Sequence, residues 1–148
     1  MEFKFAQSTT ERLNPSDLEF FYYDVAIWNN TLRIELPNDD LIFAAEKIGI
    51  TLLPKGSRSN IRVEPTTNAI VFCKNSNELF GEALFRHFRN SFAHYKITYA
   101  NANTDFSFVD KTPRGRTTMV GLVNKEKFKA LILKMQEYHF NFIENYKN

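Results

Sequence analysis

Fifteen of the 148 residues are phenylalanine, and rings in that number must be hidden from water before such a chain is stable. Burying one Phe contributes roughly 1.5–3 kcal/mol relative to leaving it exposed. The chain can therefore build an interior that offsets its conformational entropy, which excludes a disordered polymer. The length suits a single domain spanning residues 1–148. A net charge of +2 does not mark a strongly basic nucleic-acid binder and leaves room for a local basic patch. Cys73 is the only cysteine, so no intramolecular disulfide forms, and its place in Ile70-Val71-Phe72-Cys73 reads as a small buried hydrophobe. The opening residues Met1-Glu2-Phe3-Lys4-Phe5 have no secretory h-region, and no stretch is long and apolar enough to span a membrane. The expected compartment is the cytoplasm.

Apolar periodicity then places the elements. Asn14 and Pro15 form a cap and first-position pair with Asp17 in the first turn. A helix is expected to follow, with Leu18, Phe21, Tyr22, Val25, Trp28 and Leu32 on one face. Asn38-Asp39-Asp40 opens a short helix that Gly49 can end. Residues 54–68 carry two prolines and a glycine and read as a loop, with room for a short strand near Ile61–Val63. Ile70–Cys73 fits either a strand or the approach to a helix. A central helix is expected over 77–97. Thr104–Val109 and Thr117–Val123 read as two strands joined by the turn Asp110-Lys111-Thr112-Pro113-Arg114-Gly115. The last helix starts at Asn124 and carries the stripe Phe128, Leu131, Ile132, Met135, Tyr138, Phe142 and Ile143. The expected fold class is mainly α: a helical bundle with a small β-hairpin before the C-terminal helix.

The central helix carries the chemistry. At about 100° per residue, Phe80, Leu84, Phe88, Ser91, Phe92 and Tyr95 fall on one side. Glu82, Arg86, Arg89, Asn90, Ala93 and His94 fall on the other. Arg86 and Asn90, and Asn90 and His94, are i,i+4 neighbours, so their side chains share a surface. Arginine grips a phosphate with a planar fork of donors. Histidine moves protons near neutral pH, and asparagine can orient either group. Such a set suits phosphodiester cleavage in which an RNA 2′-hydroxyl attacks its own phosphate, a reaction that needs proton transfer and charge stabilisation but no metal. One helix supplies one histidine, whereas acid–base cleavage works better with groups on both sides of the phosphorus. A two-fold dimer bringing two such helices together would supply both.

At these residues, in the local sequence LFRHFRNSFAHYKI, the chain resembles the HEPN family (higher eukaryotes and prokaryotes nucleotide-binding domain). The mark of that family is Arg, a polar residue, several further positions and His on one helix; here these are Arg89, Asn90 and His94. The resemblance implies an α-helical domain, usually a homodimer, with the motif at the dimer cleft. It implies a metal-independent endoribonuclease of a toxin–antitoxin or phage-defence system, in which Arg89 and His94 are the active-site residues. RNA and an antitoxin or defence-system protein are the implied partners. Two positions after the histidine, where members paired with a nucleotidyltransferase antitoxin often carry tyrosine, this chain has Lys96.

Other readings stand beside this one. Arg89 and His94 also fit a solvated helix face or a non-catalytic HEPN-like dimeric module that binds RNA, a nucleotide or a protein. Arg86 suits substrate binding or an ordinary surface position. His87 borders the apolar arc and reads as structural, as does His139 on the last helix. Lys111, Arg114 and Arg116 make a basic turn suited to guiding RNA or simply to solvation. Three histidines and one cysteine lack ligand spacing, so no metal site is expected, and no Walker loop or GxGxxG calls for a nucleotide cofactor.

Overall fold

The computed structural model describes residues 13–26 and 36–147, with side chains of the last helix as far as Glu137. The first helix, α1 (Pro15–Phe20), begins at a cap: the Asp17 N–H donates to Asn14 Oδ1 at 2.8 Å, and Pro15 occupies a position whose N–H would have no helical partner. It widens into a π-helical turn over Phe21–Ala26, which buries Phe21 and Val25. Trp28 and Leu32, expected on its apolar face, lie outside the described residues. Helix α2 (Asn38–Ile48) ends as expected at Gly49, whose φ of 102° lets its N–H reach the Ala45 and Glu46 carbonyls.

Beyond Gly49 the chain departs from a helical bundle. Five strands form one mixed sheet in the order β1-β2-β5-β4-β3. They are β1 (Thr51–Lys55), β2 (Ala69–Cys73), β3 (Ile97–Ala100), β4 (Asp105–Lys111) and β5 (Thr117–Asn124). The β1–β2 pair is parallel and the other three pairs are antiparallel. The expectation of a mainly α fold with only a small hairpin is therefore wrong, and the fold is α+β. The hairpin itself exists as β4–β5, and Ile70–Cys73 belongs to β2. Ile61–Val63 is not a strand, although the Ile61 N–H does donate to the Thr117 carbonyl at 3.0 Å.

The remaining helices, α3 (Phe80–Ala93) and α4 (Lys125–Lys147), pack with α1 and α2 around one core. Asn124 Oδ1 accepts the Lys127 N–H at 3.0 Å and so caps α4 where its start is expected. Phe128, Leu131, Ile132 and Met135 are fully buried, while Tyr138, Phe142 and Ile143 of the expected stripe lie outside the described side chains. The centre of the core is aromatic. The Phe128 ring lies 4.8 Å from Phe108, 5.0 Å from Phe88 and 5.5 Å from Phe21, centroid to centroid. These are the spacings at which ring pairs attract. Gly121 on β5 permits the closeness, because a Cβ there would sit 3.1 Å from the Phe108 ring and 3.3 Å from Ile70. A smaller cluster of Ile61, Val71, Cys73 and Val120 stands apart from this core.

One buried polar group ties three elements together. Asp17 of α1 is 1% exposed. It pairs with Lys125 at 2.9 Å and Lys129 at 2.7 Å, both on α4, and accepts a hydrogen bond from the Tyr99 hydroxyl of β3. Burial works to raise the Asp17 pKa, but the bonds from Lys129, Tyr99 and Lys125 prevail and hold it below the usual carboxylate value. The Tyr99 hydroxyl is pushed up to about 12 by burial and by its bond to Asp17. No described helix is long and apolar enough to cross a membrane.

Candidate functional site

Helix α3 is positioned from both ends. At its start the Phe80 N–H donates to Asn38 Oδ1 of α2 at 2.8 Å, and the Leu79 N–H donates to Glu82 Oε1 at 3.0 Å. At its end the Lys96 N–H reaches back to the Ser91 carbonyl at 2.8 Å and the Tyr95 N–H to the Phe92 carbonyl at 3.3 Å. That pair of bonds is a Schellman closure. It requires left-handed backbone at Tyr95, whose φ is 59°. The helix therefore stops at Ala93 rather than running over 77–97, and His94 occupies the cap. Lys96 and Ile97 turn away, with Ile97 opening β3. His94 is left exposed on the last turn.

A cleft of about 280 Å³ lies beside this helix end, against the β4–β5 turn. Helix α3 contributes Arg86, Asn90 and His94, and the hairpin contributes Lys111, Arg116 and Thr118. Of the residues expected to form the site, Asn90, His94 and Arg86 thus share one cleft. Arg89 is partly buried and is not part of its lining. Arg86 is already engaged, its Nε and Nη2 each donating to the Glu78 carboxylate at 2.8 Å. This two-pronged bond leads the causes that raise the Arg86 pKa. Burial opposes ionisation of Glu78, but the same bond outweighs it and holds the Glu78 pKa low.

The floor of the cleft is a buried pair, His87 with Asp110, residues that the sequence reading took separately as structural and as part of the turn. His87 is fully buried, and both of its ring nitrogens have partners at 2.7 Å: Nδ1 faces Asp110 Oδ2, and Nε2 faces the Cys73 carbonyl oxygen. A carbonyl oxygen can only accept, so Nε2 carries a proton. One further proton lies between Nδ1 and Oδ2. Asp110 is 5% exposed, and its Oδ2 also accepts from Asn90 Nδ2 at 3.4 Å, near the outer limit of a hydrogen bond. This contact turns the amide so that Asn90 Oδ1 is the group not committed to Asp110.

The signal for Asp110 was present. Phe106, Phe108 and Asp110 are alternate residues of β4, all buried, while Lys111 beyond them is exposed. A carboxylate at core parity demands a partner. Ending the strand at Val109 assigned Asp110 to the turn. A register irregularity at Asp110/Lys111 marks where the ladder re-aims its side chains. Across the cleft, Arg116 Nη1 donates to the Ser57 and Ser59 carbonyls at 2.9 and 2.8 Å, fixing it to the loop after β1. Cys73 is buried, and burial raises its thiol pKa, so it is not a reactive thiolate. Among the described residues, no group of three or more His, Cys, Asp or Glu is placed to hold a metal ion.

A family model described as HEPN pEK499 p136 matches residues 4–146. Searches of curated proteins and of solved structures returned no match. The family match takes in α3, the hairpin and the cleft between them, and HEPN domains are in general associated with RNA and nuclease function. Extending over nearly the whole chain, it establishes that this protein belongs to the HEPN pEK499 p136 family.

Proposed function

We propose that this chain is a single-domain, metal-independent endoribonuclease acting as a cytoplasmic homodimer in a toxin or phage-defence system. The observation that carries this reading is the cleft that joins Asn90 and His94 of the motif to the basic turn. In the proposed reaction the RNA 2′-oxygen bonds to phosphorus and the bond from phosphorus to the 5′-oxygen breaks. The 2′-hydroxyl proton passes to a base, and a proton is delivered to the leaving 5′-oxygen. The products are a 2′,3′-cyclic phosphate and a 5′-hydroxyl. His94 serves as one of the two proton-transfer groups, being exposed at the mouth of the cleft. Asn90 orients the site from its contact with Asp110. Arg89, which does not line the cleft of its own protomer, neutralises the scissile phosphate within the proposed dimer.

The test is cleavage of single-stranded RNA by purified protein in EDTA. Wild type is expected to release cyclic-phosphate ends, and His94→Ala and Arg89→Ala are expected to lose on the order of a hundredfold or more in rate. Intact RNA with all three proteins overturns the enzyme. A second reading, a non-catalytic module that binds RNA, is favoured by one feature: the arginine within the cleft on α3, Arg86, has its fork occupied by Glu78. Binding without cleavage in the same experiment supports that reading.

A further inference from the structure

Neither Arg86 nor the motif's Arg89 supplies the protomer's cleft with an uncompensated guanidinium from α3. Arg86 is neutralised by Glu78, and Arg89 is not part of the lining. The cations facing the cleft from the opposite wall are Arg116 and Lys111. Among the described residues, neither forms an ion pair, and the acceptors held by Arg116 Nη1 are the neutral carbonyls of Ser57 and Ser59. The guanidinium thus keeps its full charge while its position is fixed.

The turn that carries these residues is closed on itself. The Thr112 N–H donates to the Arg116 carbonyl at 2.8 Å, and the Arg116 N–H returns to Thr112 Oγ1 at 3.1 Å. Pro113 fixes a further φ within the turn. Holding a charged donor in place before the ligand arrives lowers the ordering cost of binding. Among the described residues the only carboxylate lining the cleft is Asp110, and His87 shares a proton with it. The remaining lining offers hydroxyl and amide groups, among them those of Ser57, Asn75 and Asn90. At about 280 Å³ the space sits at the lower end for small-molecule sites. It suits one phosphate with its ribose, with the strand continuing over the rim.

We infer that Arg116 and Lys111 form a phosphate subsite for single-stranded RNA, holding one backbone phosphate against Asn90 and His94. The inference rests on the RNA reading above and specifies where one protomer grips the strand. Each neutralised phosphate releases counterions, so loss of one contact should appear as a smaller salt slope as well as weaker binding. For single-stranded nucleic acid the change is about 0.7 in the log–log slope per phosphate.

The experiment uses full-length protein and a fluorescein-labelled 2′-O-methyl RNA oligonucleotide, which cannot be cleaved, with anisotropy read at several salt concentrations. Arg116→Gln and Lys111→Gln are each expected to weaken binding about fivefold or more, and the double variant, which frees the one phosphate they share, to lower the slope by about 0.7. Arg62→Gln, an exposed position outside the cleft lining, is expected to bind as wild type does. Lys111 is exposed and its side chain makes no hydrogen bond or ion pair among the described residues, so its variant tests the subsite even if Arg116→Gln disturbs the loop. If wild type binds the RNA and both cleft variants match it in affinity and slope, the subsite is wrong while the RNA reading survives. If wild type does not bind the RNA, both fall. A third arm titrates inorganic phosphate and a mononucleotide. Tight, Arg116-dependent binding of either, with no RNA affinity, assigns the pocket to a small phosphorylated ligand and overturns RNA as its occupant.

Discussion

Asp110 serves two neighbours with one oxygen, and that makes its substitutions informative. Oδ2 meets His87 Nδ1 at 2.7 Å and Asn90 Nδ2 at 3.4 Å. Asp110→Ala leaves the buried Nδ1 without a partner, at a cost of about 1–3 kcal/mol in unfolding free energy. Asp110→Asn should cost less, because an amide N–H can donate to Nδ1 while Nε2–H still serves the Cys73 carbonyl. That amide then turns a donor toward Asn90 Nδ2, and the orientation of Asn90 is lost. The expected signature is a near-normal urea midpoint with RNA cleavage reduced on the order of tenfold to a hundredfold. An Asp110→Asn protein that cleaves at the wild-type rate would show that Asn90 needs no such support. Half of this site was legible in the sequence. Helical spacing put Asn90, His94 and Arg86 on one face, and the cleft contains all three. Spacing also put Arg89 on that face, but the cleft occupies only part of it. His87 was read as structural, and its full burial agrees with that. Its partner Asp110 was hidden because the strand was ended at Val109, two residues short of its end at Lys111.

Helix α1 is held by charge as much as by packing. Its Asp17 carboxylate reaches two lysines of α4 and the tyrosine of β3, while Phe21 enters the aromatic core one turn later. Removing one partner of a buried pair costs roughly 3–5 kcal/mol. Lys125 and Lys129 keep 18% and 22% of their side chains in water, so they are partly rehydrated once Asp17 is gone. Asp17→Asn should accordingly destabilise the protein by about 2 kcal/mol at neutral pH, below that range. The pH dependence has a definite sign. The folded pKa of Asp17 lies below the ordinary aspartate value of 3.8, so its contribution is complete above that value and is lost as pH falls through the folded pKa. Urea unfolding at pH 7 and at pH 3 should show the gap between wild type and Asp17→Asn narrowing in acid. An equal gap at both pH values would mean that Asp17 contributes through something other than its charge. The elements missed by sequence reading share a cause. Strand β1 buries only Leu52 and contains Pro54, so it has no alternation to find, and it is stable only as an edge paired with distant β2. Strand β3 was missed because Tyr95 continues the helical period and carried the expected helix to residue 97, where the strand begins. Only the left-handed backbone at Tyr95, a geometry unusual for tyrosine, separates the two. The fold class was missed for that reason: two edge strands turn a hairpin and an isolated strand into a sheet.

At the scale of the whole molecule, the chemistry asks for more than one chain shows. Cleavage by 2′-hydroxyl attack needs proton transfer on both sides of the phosphorus. Within the cleft His87 is committed to Asp110 and the Cys73 carbonyl, which leaves His94 as the histidine exposed to substrate. A second copy related by a two-fold axis would bring a second His94, and with it the Arg89 that one protomer's cleft does not contain. Activity should then follow the concentration of dimer rather than of chains. Measured per chain, the cleavage rate is expected to be constant at high protein concentration. It should fall in proportion to concentration once the dimer dissociates, over the same range in which sedimentation velocity shows the boundary slowing. Dilution should leave the Arg116-dependent binding of uncleavable RNA largely intact, because that subsite lies within one protomer. Binding and cleavage should therefore separate on dilution. A cleavage rate per chain that holds steady while sedimentation reports monomer would place both proton-transfer groups in a single chain. The search for the second would then turn to the cleft's own lining, beginning with Lys111.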